Sequence, residues 1–190
     1  MSRLTILICT HDRAELLERV LASLNAARRP CECEVDILVA ANACSDGTHA
    51  LLDAYGTQAA DRGQLPLAWF AEATPGKSHA LNSALPRLTG ELVAFVDDDH
   101  RVDAGYLEAV CAAAAAYPQA GLFCGRILPD WDGNEPAWVH DKGPYRIYPL
   151  PVPRFDLGDA PRAVTSDLAI PGGGNLFLRT EWLDHVGRFS

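Results

Sequence analysis

Apolar residues recur along this chain in two alternating rhythms. Short, mainly apolar runs at residues 4–9, 35–40, 67–71 and 91–96 have the length of strands covered on both faces. Between them the spacing changes to that of helices. Leu16, Leu17, Val20, Leu21 and Leu24 share one helical face, and Asp12 with Glu15 supplies a D-x-x-E start signal of the capping-box kind. Ser45-Asp46-Gly47-Thr48 opens a second helix that runs to about residue 55. Thr74-Pro75 sets a capping hydroxyl ahead of a proline suited to a first helical turn, for a helix ending near residue 85. An alanine-rich helix spans 103–117 and stops at Pro118, and a further strand covers 121–128. This alternation predicts an α/β fold built on a doubly wound, mainly parallel sheet.

The rhythm breaks at Pro129. From there to Pro171 the chain is rich in Pro, Asp, Trp and Tyr, the mark of a long irregular insert that is either functional or mobile. Gly172-Gly173-Gly174-Asn175 then leads into an apolar triplet at 176–178 and a short helix at 181–186. The expectation is one domain over 1–190, with a sheet-building part at 1–128, the insert at 129–171, and a C-terminal part beginning at 172.

Composition narrows the picture. The 190 residues are 48% hydrophobic and 22% charged, a globular balance. A net charge of −9 argues against nucleic acid as the main partner. No apolar run reaches the roughly 20 residues that span a bilayer. The first residues read as a strand, not a signal peptide. Six cysteines are scattered without a C-x-x-C pair, which fits reduced thiols and a cytoplasmic setting.

The candidate chemistry sits where strands end. Asp97-Asp98-Asp99 follows the buried run 92–96 directly. Crowded carboxylates oppose one another's ionisation, and a hard divalent cation relieves the conflict while keeping places for phosphate oxygens. The triplet therefore reads as a metal–diphosphate site, against the plainer reading of a solvated acidic turn. Gly76-Lys77-Ser78 has the end of a phosphate-binding loop but not its first glycine, since Ala71 stands there; Lys77 is either a phosphate-facing ammonium or an ordinary solvated lysine. Thr10, His11 and Arg13 follow the first strand, at the ligand end of such a sheet. Asn42 follows the second, and its carboxamide suits either a nucleobase edge or a turn. Gly172–Asn175 allows close approach of a ligand or makes a flexible turn. Trp131, Trp138, Tyr145 and Tyr148 form either a sugar-stacking surface or packing for the insert. Neither a dinucleotide fingerprint nor a hydrolase nucleophile elbow occurs.

In order along the chain, these pieces resemble glycosyltransferase family 2, the inverting enzymes of GT-A fold. The resemblance rests on residues 5–24, on 35–48 with its S-x-D-G-T region, on Gly-Lys-Ser-His-Ala-Leu-Asn at 76–82, on 90–107 with the acidic motif, and on 172–189 with its G-G-N strand and V-G-x-F end. It implies transfer of a sugar from a nucleotide-diphosphate donor to a saccharide, lipid-linked or other hydroxyl acceptor, with Mg²⁺ or Mn²⁺ as cofactor. It implies that Thr10, His11, Arg13, Asn42 and Lys77 line a nucleotide pocket, that Asp97 and Asp98 contact the ribose and metal side, and that Asp99, with Asp97, binds the metal. Gly173, Gly174 and Asn175 would face the donor sugar, and the insert the acceptor. Ala41 stands where the family commonly carries an acid, so uridine, guanosine and thymidine donors all stay open. The family's acidic pair, its general base, has no counterpart after Phe189. That implies a base supplied beyond residue 190, or a non-catalytic nucleotide-sugar-binding module. It leaves peripheral contact with the inner face of a membrane open.

Overall fold

The structure is a computed structural model that describes residues 2–140, 152, 154–165 and 172–190. Among these residues six strands form one sheet in the order β3-β2-β1-β4-β6-β5. They are β1 (Ser2–Thr10), β2 (Cys33–Asn42), β3 (Leu67–Glu72), β4 (Leu92–Val96), β5 (Leu122–Cys124) and β6 (Asn175–Arg179). β1 pairs in parallel with both β2 and β4, and β2 in parallel with β3. β6 runs antiparallel to both β4 and β5. The expected α/β architecture is therefore present, with an antiparallel edge on an otherwise parallel sheet.

The apolar runs are buried on both sides because their residues feed two cores in alternation. Leu4, Ile6 and Ile8 of β1, Val35, Ile37 and Val39 of β2, and Leu92, Ala94 and Val96 of β4 enter one core. Against them pack α1 (Ala14–Ala26), α2 (Thr48–Gln58) and α4 (Tyr106–Ala116), through Leu17, Val20, Leu21 and Leu24, Leu52 and Tyr55, and Leu107 and Val110. Each such leucine contributes about 1.5–3 kcal/mol by leaving water. Leu7, Leu38, Val93 and Phe95 point to the other face, covered by Leu81 and Ala84 of α3 (Lys77–Ala84) and by α5 (Leu183–Val186) through Leu183. The far end of α4 is closed by β6, whose Arg179 Nη2 donates to the Ala114 carbonyl at 2.7 Å.

Several expected details come out differently. Asp12 does not cap its own helix. Its φ is +50°, and its carboxylate accepts from the Ser45 and Asp46 amides at 2.6 and 3.1 Å. Asp46 returns the favour across the gap, accepting from Ala14 N at 3.0 Å while also capping α2 through Thr48 N at 3.0 Å. The two loops after β1 and β2 thus cap one another. Pro75 lies outside α3, which starts at Lys77 after Gly76 at φ +128°, a backbone state open to glycine. The expected strand 121–128 is cut to Leu122–Cys124. The Asn175 amide inserts there and donates to the Arg126 carbonyl at 2.8 Å, and Ile127 pairs with Phe155 of the insert instead.

The last residues turn back over α3. Asn82 accepts from Phe189 N at 2.9 Å and donates to Phe189 O at 2.8 Å, and the Ser78 hydroxyl donates to Ser190 O at 2.8 Å. The Phe189 ring meets Phe95 edge-on, 6.0 Å between centroids.

Candidate active site

The strand order reverses at β1, whose chain continues to β2 on one side while β4 lies on the other. β1 thus lies between β2 and β4, and the carboxyl ends of the three strands stand side by side, the usual ligand position in open α/β sheets. A cleft of about 260 Å³ opens there, lined by Cys9, Thr10, His11, Arg13, Asn42, Lys77, Asp97, Asp98 and Asp99. Every residue singled out after β1, β2 and β4, together with Lys77, lies on this one cleft.

Each side chain has a definite task. Asp98 is buried, and its Oδ1 accepts from Arg13 Nη1 at 3.0 Å; the same nitrogen lies 3.4 Å from Asp99 Oδ2. That bond to Asp98 raises the already high pKa of Arg13. Lys77, in the first turn of α3, pairs with Asp97 Oδ1. The His11 Nδ1–H donates to the Asn42 carbonyl at 2.7 Å, and Nε2 lies 4.0 Å from Asp12 Oδ2. Asn42 is committed to the loop between β3 and α3. Its amide donates to the Glu72 and Thr74 carbonyls at 3.2 and 2.7 Å and its oxygen accepts from Gly76 N at 2.8 Å. It thereby sets the turn that delivers Lys77. Thr10 is buried at 2% exposure, and its hydroxyl has no partner among the described residues. Such a group is costly to leave unpaired, so it marks a place where a ligand is expected. Burial pushes the Cys9 thiol up to about 12, so it serves as a neutral wall.

The glycine-rich segment reaches the cleft through β6, because Asn175 pairs with Val96 at the end of β4. Gly174 is packed so closely that a Cβ there would lie 2.0 Å from His100 Cε1 and 2.7 Å from Asp97 Oδ2. Gly173 meets nothing within 4 Å. The Asn175 side chain is turned toward Arg126, with its Oδ1 buried and unpaired among the described residues. Of the aromatic group, Trp131 and Trp138 are exposed, Trp131 edge-on to His140 at 4.8 Å, while Tyr145 and Tyr148 lie outside the described residues.

His100 was absent from the sequence-derived set. Its Nδ1–H donates to the Gly174 carbonyl at 3.0 Å, and Nε2 lies 4.0 Å from Asp99 Oδ1. Ligand atoms of Asp97, Asp99 and His100 all fall within 4.8 Å of one another. This donor set suits a divalent cation: two hard oxygens and an imidazole nitrogen, in a cradle that a side chain at Gly174 would fill. The adjacency of His100 to the triplet was the available signal.

The chain resembles known proteins over most of its length. Succinoglycan biosynthesis protein ExoM of Rhizobium meliloti (strain 1021) is 28% identical over 134 residues, which are 70% of this chain and 41% of that protein. The mannosyltransferase PcManGT of Pyrobaculum calidifontis, solved with GDP-Man and Mn²⁺, is 28% identical with a TM-score of 0.54, over 64% of this chain and 34% of its own. The 1–349 portion of S. aureus TarS, solved with UDP, superimposes with a TM-score of 0.66 at 18% identity, over 96% of this chain and 48% of its own. This chain thus spans less than half the length of each. The shared fold is GT-A. The profile described as "Glycosyl transferase family 2" matches residues 5–187, and the chain belongs to that family.

Proposed function

We propose that this chain binds a nucleotide-diphosphate sugar with a divalent cation, as the donor part of an inverting glycosyltransferase. The observation that carries the reading is the meeting of Thr10, Arg13, Lys77 and the Asp97–Asp99 triplet in one crevice at the switch point of the sheet. TarS bound to UDP and PcManGT bound to GDP-Man and Mn²⁺ share the fold and support a ligand of this class. On charge grounds the cleft asks for the cation. Among the described residues three carboxylates face two cations, Arg13 and Lys77, which leaves one negative charge in excess, and a diphosphate would add to it.

A divalent cation held by Asp97 and Asp99 would neutralise the charge that gathers on the departing diphosphate. The protein's own groups prepare the rest. Arg13 holds Asp98 and steadies Asp99. Lys77, placed by the Asn42-bound turn, supplies an ammonium that moves from Asp97 to phosphate once that carboxylate has another partner. The Thr10 hydroxyl gains its missing hydrogen bond from the nucleotide. The acceptor is a saccharide, lipid-linked or other hydroxyl, and its proton needs a base. The three acids lining the cleft are each already paired with Arg13 or Lys77, so we assign that base elsewhere. The same fact favours the second reading, a nucleotide-sugar-binding module without turnover. Six free cysteines support a reducing, cytoplasmic setting. Among the described residues no helix is long and apolar enough to cross a membrane.

Calorimetric titration with UDP, GDP and dTDP, in Mn²⁺ and in EDTA, tests the reading. At least one should bind, and its affinity should fall tenfold or more in EDTA. Failure of all three in both buffers would sink it. Donor turnover by residues 1–190 against that of a longer polypeptide separates transferase from binding module.

A further inference from the structure

We infer that His100 is a nitrogen ligand of the cation in this cleft, so that the protein offers Asp97, Asp99 and His100 and favours Mn²⁺ over Mg²⁺. The inference rests on the metal–diphosphate reading above and adds to it a residue and a selectivity. The first observation is the state of the imidazole. Nδ1 lies 3.0 Å from the Gly174 carbonyl, an acceptor only, so Nδ1 carries the proton and Nε2 keeps its lone pair. A hydrogen bond from the far nitrogen to a carbonyl is the arrangement that fixes the tautomer and orientation of a metal-binding histidine.

Position is the second observation. Nε2 is 4.0 Å from Asp99 Oδ1, too long for a hydrogen bond and therefore not the bond that holds the ring in place. One ligand atom each from Asp97, Asp99 and His100 fits within 4.8 Å, and an ion with bonds of about 2.0–2.2 Å needs its ligands only a little closer than that. The third is the fit of the ring against β6. A Cβ at Gly174 would overlap His100 Cε1 at 2.0 Å, so the glycine makes room for this imidazole as well as for any donor sugar. Independently, Thr10, 2% exposed, lines the same cleft with an unpartnered hydroxyl, as expected of a place built for a ligand.

Chemistry then gives the selectivity. Mg²⁺ prefers an all-oxygen shell in a strict octahedron and sheds water reluctantly, whereas Mn²⁺, which also takes carboxylates, loses less when one oxygen is exchanged for an imidazole nitrogen. Lys77 is the charged group that competes for Asp97, and Arg13 the one that competes for Asp99.

The test uses the intact chain and Mn²⁺, alone and with UDP or GDP. Pulsed EPR of the Mn²⁺ complex should show a ¹⁴N coupling that changes to the ¹⁵N pattern when only the histidines carry ¹⁵N. His100→Gln should abolish that coupling and weaken Mn²⁺ binding about tenfold or more, while Mg²⁺ binding changes less than about twofold. Mn²⁺ bound with an oxygen-only spectrum in the unmutated protein overturns the role of His100 and leaves the metal–diphosphate reading standing. No Mn²⁺ binding at all, with or without nucleotide, overturns both. An oxygen-only spectrum of the unmutated protein overturns the role even if that variant folds poorly, and His11→Gln, which should keep the coupling, separates His100 from the other imidazole of the cleft; loss of the coupling there assigns it to His11 and overturns the inference.

Discussion

Asn42 holds three main-chain groups at once: the Glu72 and Thr74 carbonyls and the Gly76 amide. Removing the carboxamide leaves those groups unpaired beside a buried position. Asn42→Ala should therefore cost about 1–3 kcal/mol, read as a lower urea midpoint. Because the turn it sets carries Lys77, the variant should also bind nucleotide diphosphates more weakly, and by a similar factor whichever base they carry. A loss confined to one base would mean that the amide reads the base directly. From sequence, a carboxamide at a strand end suits a turn and a nucleobase equally, since its own hydrogen-bond capacity is the same in both. What decides is where residues 72–76 pass, and that depends on contacts some 30 residues away in the chain. Asp98 illustrates the opposite case. A triplet of acids after a buried strand was visible at once, yet only the fold turns the middle one inward onto Arg13.

Among elements, the loops after β1 and β2 depend on each other. Asp12 takes up the Ser45 and Asp46 amides, and Asp46 takes up Ala14 N and Thr48 N. The amide of Ser45 holds the Asp12 carboxyl below its ordinary value of 3.8, and the Thr48 hydroxyl does the same for Asp46. A lowered folded pKa gives stability that is complete above the unfolded value and is lost as pH falls through the folded one. Acidification from about pH 4 to about pH 2 should thus destabilise the parent more steeply than the Asp12→Asn/Asp46→Asn double variant. The variant should be less stable at neutral pH, and urea midpoints across that series check both points. The strands and the α1 face were legible because period and burial are local properties of the sequence. Three features were not. Positive φ at Asp12 and Ala43 carries no composition signal, since neither is glycine. The reversed direction of β6 is set by its neighbours, not by Leu176-Phe177-Leu178 itself. The shortening of β5 follows from one inserted side chain, that of Asn175.

At the scale of the molecule, among the described residues, the two faces of the sheet are unequally covered, three helices on one side and α3 with short α5 on the other. The final residues help to close the thinner side, through the Asn82 pair of bonds to Phe189 and its ring against Phe95. These bonds are exposed, so Asn82→Ala should cost only about 1 kcal/mol, a fall of about 2–4 °C in Tm for a chain of this size. Faster proteolytic clipping near residue 189 should accompany it. The same global arrangement gathers five charged side chains at the switch point, with one carboxylate more than the cations can match. That surplus has a thermodynamic consequence. On the proposed reading, a cation relieves the mismatch and a phosphate-bearing guest worsens it, so the two would assist each other, and linkage makes the assistance equal in both directions. If the ion tightens the nucleotide tenfold, the nucleotide tightens the ion tenfold. On that reading each would bind weakly when the other is scarce, and the odd charge in the cleft would make the crevice respond to the pair together.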